Sequence, residues 1–277
     1  AGKASNYSVT TANGELTMSW PTAQKVVVTA NSATKTYDGT PLTDGGYTVE
    51  FGGQTYHLAA GQPQELANGD VLTVQIEGSV TDVEPSPTAN KIVSVSIMNG
   101  ATDVHHGYNV QRENGELRVM PMPLTVTADS GSKVYDGTAL TKNSYTSTDP
   151  AAGDTLASVT VTGSQTNAGS SDNVARDAKL MRGDRDVTAN YAIEYLPGTL
   201  TVTPVTDKVT VTITGYTDTV TYNGAERSVT GYETAISNSL YTAKDFAFSG
   251  TASVTGTDAG TYMMGLTAAQ FENISHN

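Results

Sequence analysis

Cysteine is absent from this chain. Small extracellular domains of eukaryotes generally rely on disulfides, so a module of that kind is a poor fit. A Thr-rich, cysteine-free chain suits a bacterial surface protein better, although a cytosolic protein also lacks disulfides. No apolar run approaches the length of a membrane span, which argues against membrane insertion. Positive charge is scarce too: 15 Lys and Arg stand against 28 Asp and Glu, a formal net charge of −13. The basic residues are scattered and form no stripe, so nothing would displace counterions from a nucleic-acid backbone. The same acidity opposes adhesion to anionic lipid. The opening residues AGKASNYSV hold no apolar signal segment, so an exported parent would contain this chain as an internal fragment.

What is present is Thr, Val, Gly and Ser, with 37% hydrophobic residues in 277. Thr and Val are stiff at χ1 and favour strands. More telling is repetition. With Tyr37, Tyr135 and Tyr222 aligned, the preceding residues match without a gap: VVVTANSATKTY, LTVTADSGSKVY and VTITGYTDTVTY. Apolar positions fall at Val26, Val28 and Ala30, at Leu124, Val126 and Ala128, and at Val211 and Ile213. That period of two predicts a strand with one buried face. A turn pair follows each Tyr: Asp38-Gly39, Asp136-Gly137 and Asn223-Gly224.

A second landmark closes a copy. YNVQRENGELRV from Tyr108 and YAIEYLPGTLTV from Tyr191 both place Gly seven and Leu nine positions after Tyr. The pattern predicts strand, Gly-containing turn and strand, with Tyr and Leu facing the core. Between the landmarks lie GSVTDVE at Gly78–Glu84, GSQTNAG at Gly163–Gly169 and, more loosely, GTDAG at Gly256–Gly260. The expected modules are 26–123 (with an inserted loop or hairpin), 124–205 and 206–277, preceded by 1–25. Each is large enough for its own core. NYSVTTANGELTM from Asn6 repeats the closing landmark, with Gly14 and Leu16 seven and nine after Tyr7, while 206–277 stops at Asn277, the counterpart of Asn190. Residues 1–25 therefore read as the closing hairpin of a preceding copy, and 206–277 as a copy lacking its own. An unpaired strand edge invites pairing, so head-to-tail strand complementation between chains is an expectation, given an ordered Tyr7–Met18.

The K-x-Y-D-G-T-x-L-T opening, the G-S-x-T-[DN]-[AV]-G middle and the N-Y-x-[IV]…G-x-L-x-V close resemble the YDG/MBG-type β repeats. These stand in tandem on large bacterial cell-surface, adhesin-like proteins, many of them Gram-positive. The resemblance covers nearly the whole chain and is best in copy two. Copy one departs at Glu84, and copy three has Val220-Thr-Tyr-Asn-Gly224. It implies an extracellular repeat array, implies no enzymatic activity, and leaves the ligand unspecified.

Each candidate site has a structural role to compete with. Tyr37-Asp38-Gly39-Thr40 reads as an anchored Tyr and a tight turn rather than a glycan site. Arg182-Gly183-Asp184 spells an integrin tripeptide in a turn aligned with Asn99-Gly100-Ala101. Leu196-Pro-Gly-Thr199 resembles a sorting signal but has Leu200 where that signal needs Gly, and reads as a turn. Asp103, Asp186 and Asn273 recur in register as Asx caps, with a calcium site near Asp184 the alternative. A Lys–Asn isopeptide bond would need Lys35 or Lys133 buried beside an Asn and an acid. His57, His105, His106 and His276 have no zinc spacing, and neither a G-x-S-x-G elbow nor a phosphate-cradling loop occurs.

The expectation is an all-β chain of tandem immunoglobulin-like β-sandwich modules in an elongated array, with β-grasp-like modules the alternative if a helix lies between the landmarks. One or two helical turns would fall near Tyr232–Leu240 or Ala243–Phe248. The expected role is a structural stalk holding a binding tip away from the envelope, not an enzyme, with no cofactor and no metal. The alternative is a module binding host mucin glycan or matrix protein through Phe51–Gln64, with Tyr56 and His57.

Overall fold

The computed structural model describes residues 10–16, 22–66 and 69–277. The chain is all-β and divides into two compact units. The first unit holds Ala1–Met122 and two short segments of copy two, Ala151–Asp154 and Ala189–Ala192. The second holds Pro123–Pro150, Thr155–Thr188 and Ile193–Asn277.

In the first unit the strands are β1 (Gln24–Ala30), β2 (Ala33–Thr36), β3 (Tyr47–Phe51), β4 (Gln54–Leu58), β5 (Gln64–Glu65), β6 (Val71–Glu77), β7 (Thr88–Asn99), β8 (Thr102–Asp103), β9 (Tyr108–Glu113) and β10 (Gly115–Met120). One sheet has the order β4-β3-β1-β9, the other β2-β10-β7-β6-β5, with β8 paired to β7. Their inner faces share one core: Val26, Val28, Tyr47 and Val49 from the first sheet meet Leu72, Val74, Ile92 and Ile97 from the second. Val26, Val28, Val49, Leu72 and Ile97 are 0% exposed, and each such side chain contributes roughly 1.5–3 kcal/mol by burial. The alternating strand pattern at Val26, Val28 and Ala30 is thus realised.

The closing landmark is not a hairpin. β9 lies in the first sheet, parallel to β1, and β10 in the second, parallel to β2. Two arches, β1–β2 and β9–β10, therefore run side by side, each crossing from one sheet to the other. They touch where they cross. A Cβ on Gly115 would stand 2.0 Å from the Asn31 carbonyl oxygen, and one on Gly198 would stand 2.5 Å from the carbonyl oxygens of Ala128 and Asp129. Neither glycine has a positive φ. The landmark glycine is there for close backbone approach, not for a turn. Tyr108, Leu117, Tyr191 and Leu200 do face inward, between 0% and 8% exposed.

A buried asparagine ties each pair of crossings. Asn90 Nδ2 donates to the Asn31 and Asp44 carbonyls, both at 2.8 Å, and Asn173 Nδ2 to those of Asp129 and Lys142, both at 2.8 Å. Their side chains need the space left by Gly78 and Gly163, where a Cβ would lie 2.6 Å from each Asn Oδ1.

In copy two the strands continue as β11 (Met122–Ala128), β12 (Gly131–Val134), β13 (Tyr145–Ser147), β14 (Thr155–Thr162), β15 (Gly169–Arg182), β16 (Arg185–Asp186), β17 (Tyr191–Leu196) and β18 (Gly198–Thr203). They form a β13-β11-β17 sheet and a β12-β18-β15-β14 sheet with β16 on β15. Leu124, Val126, Leu180, Leu200 and Val202 are at most 1% exposed. Copy three contributes only two-stranded pairs: β19 (Val211–Gly215) with β21 (Tyr232–Ile236), β20 (Arg227–Thr230) with β23 (Ser253–Gly256), and β22 (Phe246–Phe248) with β24 (Phe271–Asn273). No residue after Val202 is buried.

Among the described residues there is no α-helix, only 3-10 turns such as His105–Gly107 and Ala243–Asp245. That removes the ground for a β-grasp module. It also corrects the helical reading of Tyr232–Leu240, which opens with β21 because Tyr, Thr and Ile alternate inward there. No helix among the described residues is long and apolar enough to cross a membrane.

Candidate functional site

The Tyr-Asp-Gly turn is held by a lysine that precedes it. Lys35 Nζ donates to Asp38 Oδ1 at 2.7 Å and to Thr40 Oγ1 at 2.8 Å, while Asp38 Oδ1 accepts the Thr40 N–H at 2.8 Å. Lys133, Asp136 and Thr138 repeat the arrangement at 2.6, 2.8 and 2.9 Å. Gly39 and Gly137 both have φ of 77°, the left-handed region that a side chain resists. The Lys35 hydrogen bond, then the Thr40 amide, holds the Asp38 carboxyl well below its usual range. The same contacts bring Asp136 down to about 2. The two amines thus end on Asp and Thr, not on the Asn that an isopeptide bond requires.

The turn aims the tyrosine away from the core of its own copy. Within the first unit Tyr37 is 2% exposed and donates to Asp154 Oδ2 at 3.1 Å, a residue of copy two. Tyr191 donates to the same oxygen at 2.6 Å and accepts the Ala151 N–H at 3.0 Å. The Tyr37 and Tyr191 rings meet edge to face, centroids 5.5 Å apart, a geometry that adds about 0.5–1.5 kcal/mol to the burial. Desolvation first, then the Asp154 hydrogen bond, pushes the Tyr191 hydroxyl far up. One buried carboxylate accepting two phenols is a charge-assisted fastening.

Copy one holds the counterpart socket. Tyr108 donates to Asp70 Oδ2 at 2.6 Å, but the other Asp70 oxygen takes Asn99 Nδ2 at 2.7 Å, and the ring beside Tyr108 is its own Phe51, 6.0 Å away. Desolvation and Asp70 push Tyr108 up to about 12. Asp70 is held low by its hydrogen bonds from Tyr108 and Asn99.

A second fastening explains the middle landmark. Asn190 Nδ2 donates to Asp82 Oδ1 and Asn190 Oδ1 accepts the Val83 N–H, both at 2.8 Å, within the first unit. Within the second unit, Asn277 Oδ1 accepts the Ala168 N–H at 2.8 Å, and Asn277 Nδ2 reaches Asn167 Oδ1 at 3.5 Å. Asp82-Val83 and Asn167-Ala168 are the same two positions of GSVTDVE and GSQTNAG. The second unit also sets Tyr135 against Tyr241, centroids 6.3 Å apart. Copy one has Gly107 where the others have Asn190 and Asn277.

The remaining candidates are placed as follows. Arg182-Gly183-Asp184 forms the β15–β16 turn, with Gly183 at φ 58°. Leu196-Pro-Gly-Thr199 carries the chain from β17 into β18. Asp103, Asp186 and Asn273 accept the N–H groups of His105, Thr188 and Ser275 at 2.9, 3.0 and 3.0 Å, as Asx caps do. Among the described residues no cluster of His, Asp or Glu is arranged to hold a metal ion. The insertion is the β3–β4 hairpin. Its Tyr56 packs against the core and His57 is exposed. Tyr7 and Met18 lie outside the described residues. Asp154, Asn173 and Asn190 were missed by sequence reasoning. The signal for Asn190 was that the N of N-Y recurs at Asn6 and Asn277.

No protein-family model matches the chain, and neither a curated protein nor a solved structure matches it.

Proposed function

We infer that this chain is a structural repeat segment, built of modules of immunoglobulin-like outline, from the stalk of a bacterial, adhesin-like cell-surface protein. The observation that supports this is the repeated fastening. Residues of recurring motifs, Tyr37 of Tyr-Asp-Gly and the [Asp/Asn]-[Val/Ala] pair, bond to segments of the following copy: Tyr37 to Asp154, and Val83 and Ala168 to Asn190 and Asn277. Recurrence that serves the joining of copies suits a part whose task is mechanical continuity. An extracellular, Gram-positive setting rests on the resemblance to YDG/MBG-type repeats.

Pulling single chains between two handles tests the reading. Discrete, high-force unfolding steps are expected, with Asn190→Ala lowering one of them, and arrays of mucin glycans and matrix proteins should capture nothing. Saturable capture of one such ligand, abolished by changing exposed Gln54, Thr55 and His57, would replace the stalk by a binding module. Tyr56 is unsuited to that test, because its loss also opens the core.

A further inference from the structure

Copy three presents two grooves in which apolar side chains stand among polar ones. In copy two, β18 lies between β12 and the start of β15, with Ser132 and Ser170 both opposite Thr201. In copy one, β10 lies in the same way between β2 and β7. The corresponding stretches of copy three, 218–221 and 260–264, carry no strand pairing. Between them runs a groove of about 450 Å³ past Val220, Tyr222 and Tyr262, whose side chains are 51%, 64% and 46% exposed. On the other sheet β19 pairs only with β21, and a groove of about 580 Å³ runs past Val211, Ile213, Phe246 and Phe271. These are the positions that β9 and β10, or β17 and β18, fill elsewhere: one strand for each sheet, joined by a glycine arch.

We propose that these grooves receive the segment Tyr7–Met18 of a second copy of this chain. The sequence matches the need position by position. Tyr7 and Val9 stand where Tyr108 and Val110 or Tyr191 and Ile193 face inward, and Leu16 and Met18 stand where Leu117 and Val119 or Leu200 and Val202 do. Gly14 falls at the crossing, where the other copies tolerate no Cβ. Within its own chain, residues 10–16 are not used in that way: they form no strand, Leu16 is 85% exposed, and nothing lies within 4 Å of a Cβ on Gly14. The register follows from copy two. Leu16, Thr17 and Met18 run parallel to Asp218, Thr219 and Val220, and Thr17 lies opposite Thr261, as Thr201 lies opposite Ser170. Backbone pairing supplies affinity and the alternate apolar side chains supply register. The proposal is independent of where the protein resides.

The test exploits the absence of cysteine. Ser170 Oγ and Thr201 Oγ1 are 3.1 Å apart, so Thr17→Cys in one chain and Thr261→Cys in another should join on mild oxidation into a covalent pair. The yield should drop at least tenfold when the acceptor cysteine is moved out of register by Met263→Cys, or when the donor also carries Gly14→Val. The unmodified 277-residue chain should associate with rising concentration in sedimentation, and deletion of residues 1–18 should leave it monomeric. A synthetic peptide of residues 6–18 should bind the deleted chain and lose binding with Leu16→Asp. A chain that stays monomeric at all concentrations and forms no cross-link overturns the proposal. So does a chain carrying both cysteines that closes on itself at high dilution, which would make the pairing internal.

Discussion

Copies one and two bury closed cores, and copy three, which opens on the same Tyr and turn, buries none of its residues. Its apolar content is not the cause. Three of the four Phe lie there, and Tyr232, Phe248 and Phe271 pack with centroids 4.7–5.4 Å apart. What differs is the arch after the closing Tyr. In copies one and two it lays one strand on each sheet, and every sheet there has three or more strands. An apolar face without that cover leaves Tyr216, Tyr222 and Met263 between 54% and 82% exposed. Closure of the sandwich, more than the supply of apolar side chains, makes the core.

The strongest way to break this comparison is to spoil an arch crossing. Gly115→Val would drive a side chain into the Asn31 carbonyl, a contact with backbone that cannot rotate away, and should cost about 3 kcal/mol or more in urea unfolding. The same change at Gly14, with open space around it, should leave the unfolding midpoint of the dilute chain unmoved. Equal effects at the two sites would mean that the glycine serves the turn after all. Next comes the tie between crossings. Asn173→Ala removes both 2.8 Å hydrogen bonds made by a side chain that is 0% exposed and should cost about 2–3 kcal/mol. Copy three has Met264 at that position and should be indifferent to Met264→Leu.

Strand positions and their faces could be read from sequence because period-two patterning records burial directly: Val26, Val28, Leu124 and Val126 lie where the alternation puts them. The Asx caps were readable for a similar reason, since their hydrogen bonds are local. The arch was not. Gly115 and Gly198 carry no mark distinguishing close approach from a left-handed turn, and strands joined by one or two residues are ordinarily taken for a hairpin. The fastenings were hidden because Tyr37 and Asp154 are 117 positions apart, and a turn that must be tight looks the same whether its tyrosine faces its own core or the next copy. Exposed Tyr222 shows that the motif alone does not bury the ring.

The fastenings themselves come next in size. Asn190→Ala removes two 2.8 Å hydrogen bonds from a residue 3% exposed and should lower stability by about 1–2 kcal/mol. Asn277→Ala removes one bond at 2.8 Å and a long one at 3.5 Å and should cost less than about 1 kcal/mol. Amide exchange at Val83 and Ala168 would report each separately. A larger loss at Asn277 than at Asn190 would reverse the order in which these joints are held.

The smallest effect separates the turns by pH. Asp136 has its ordinary value of 3.8 lowered to about 2, first by the Lys133 hydrogen bond and then by the Thr138 amide. A carboxyl lowered on folding stabilises the fold fully above its unfolded value, and that contribution is lost as pH falls through the folded one. The window therefore runs from about pH 4 down to about pH 2. Copy three has Asn223 and Val220 in place of the acid and its lysine, so its turn has no such window. The local probes are the two amides that bond to these side chains, Thr138 N–H to Asp136 at 2.9 Å and Ala225 N–H to Asn223 at 3.1 Å. In an acid titration followed by NMR, Thr138 should shift with a midpoint near 2, and Ala225 should show no carboxylate step of its own. Lys133→Met should carry the Thr138 midpoint back toward about 4 while the turn persists, because Asp136 still accepts the Thr138 amide and hydroxyl. A Thr138 midpoint near about 4 in the unaltered chain would show that the lysine is solvated rather than seated on the turn.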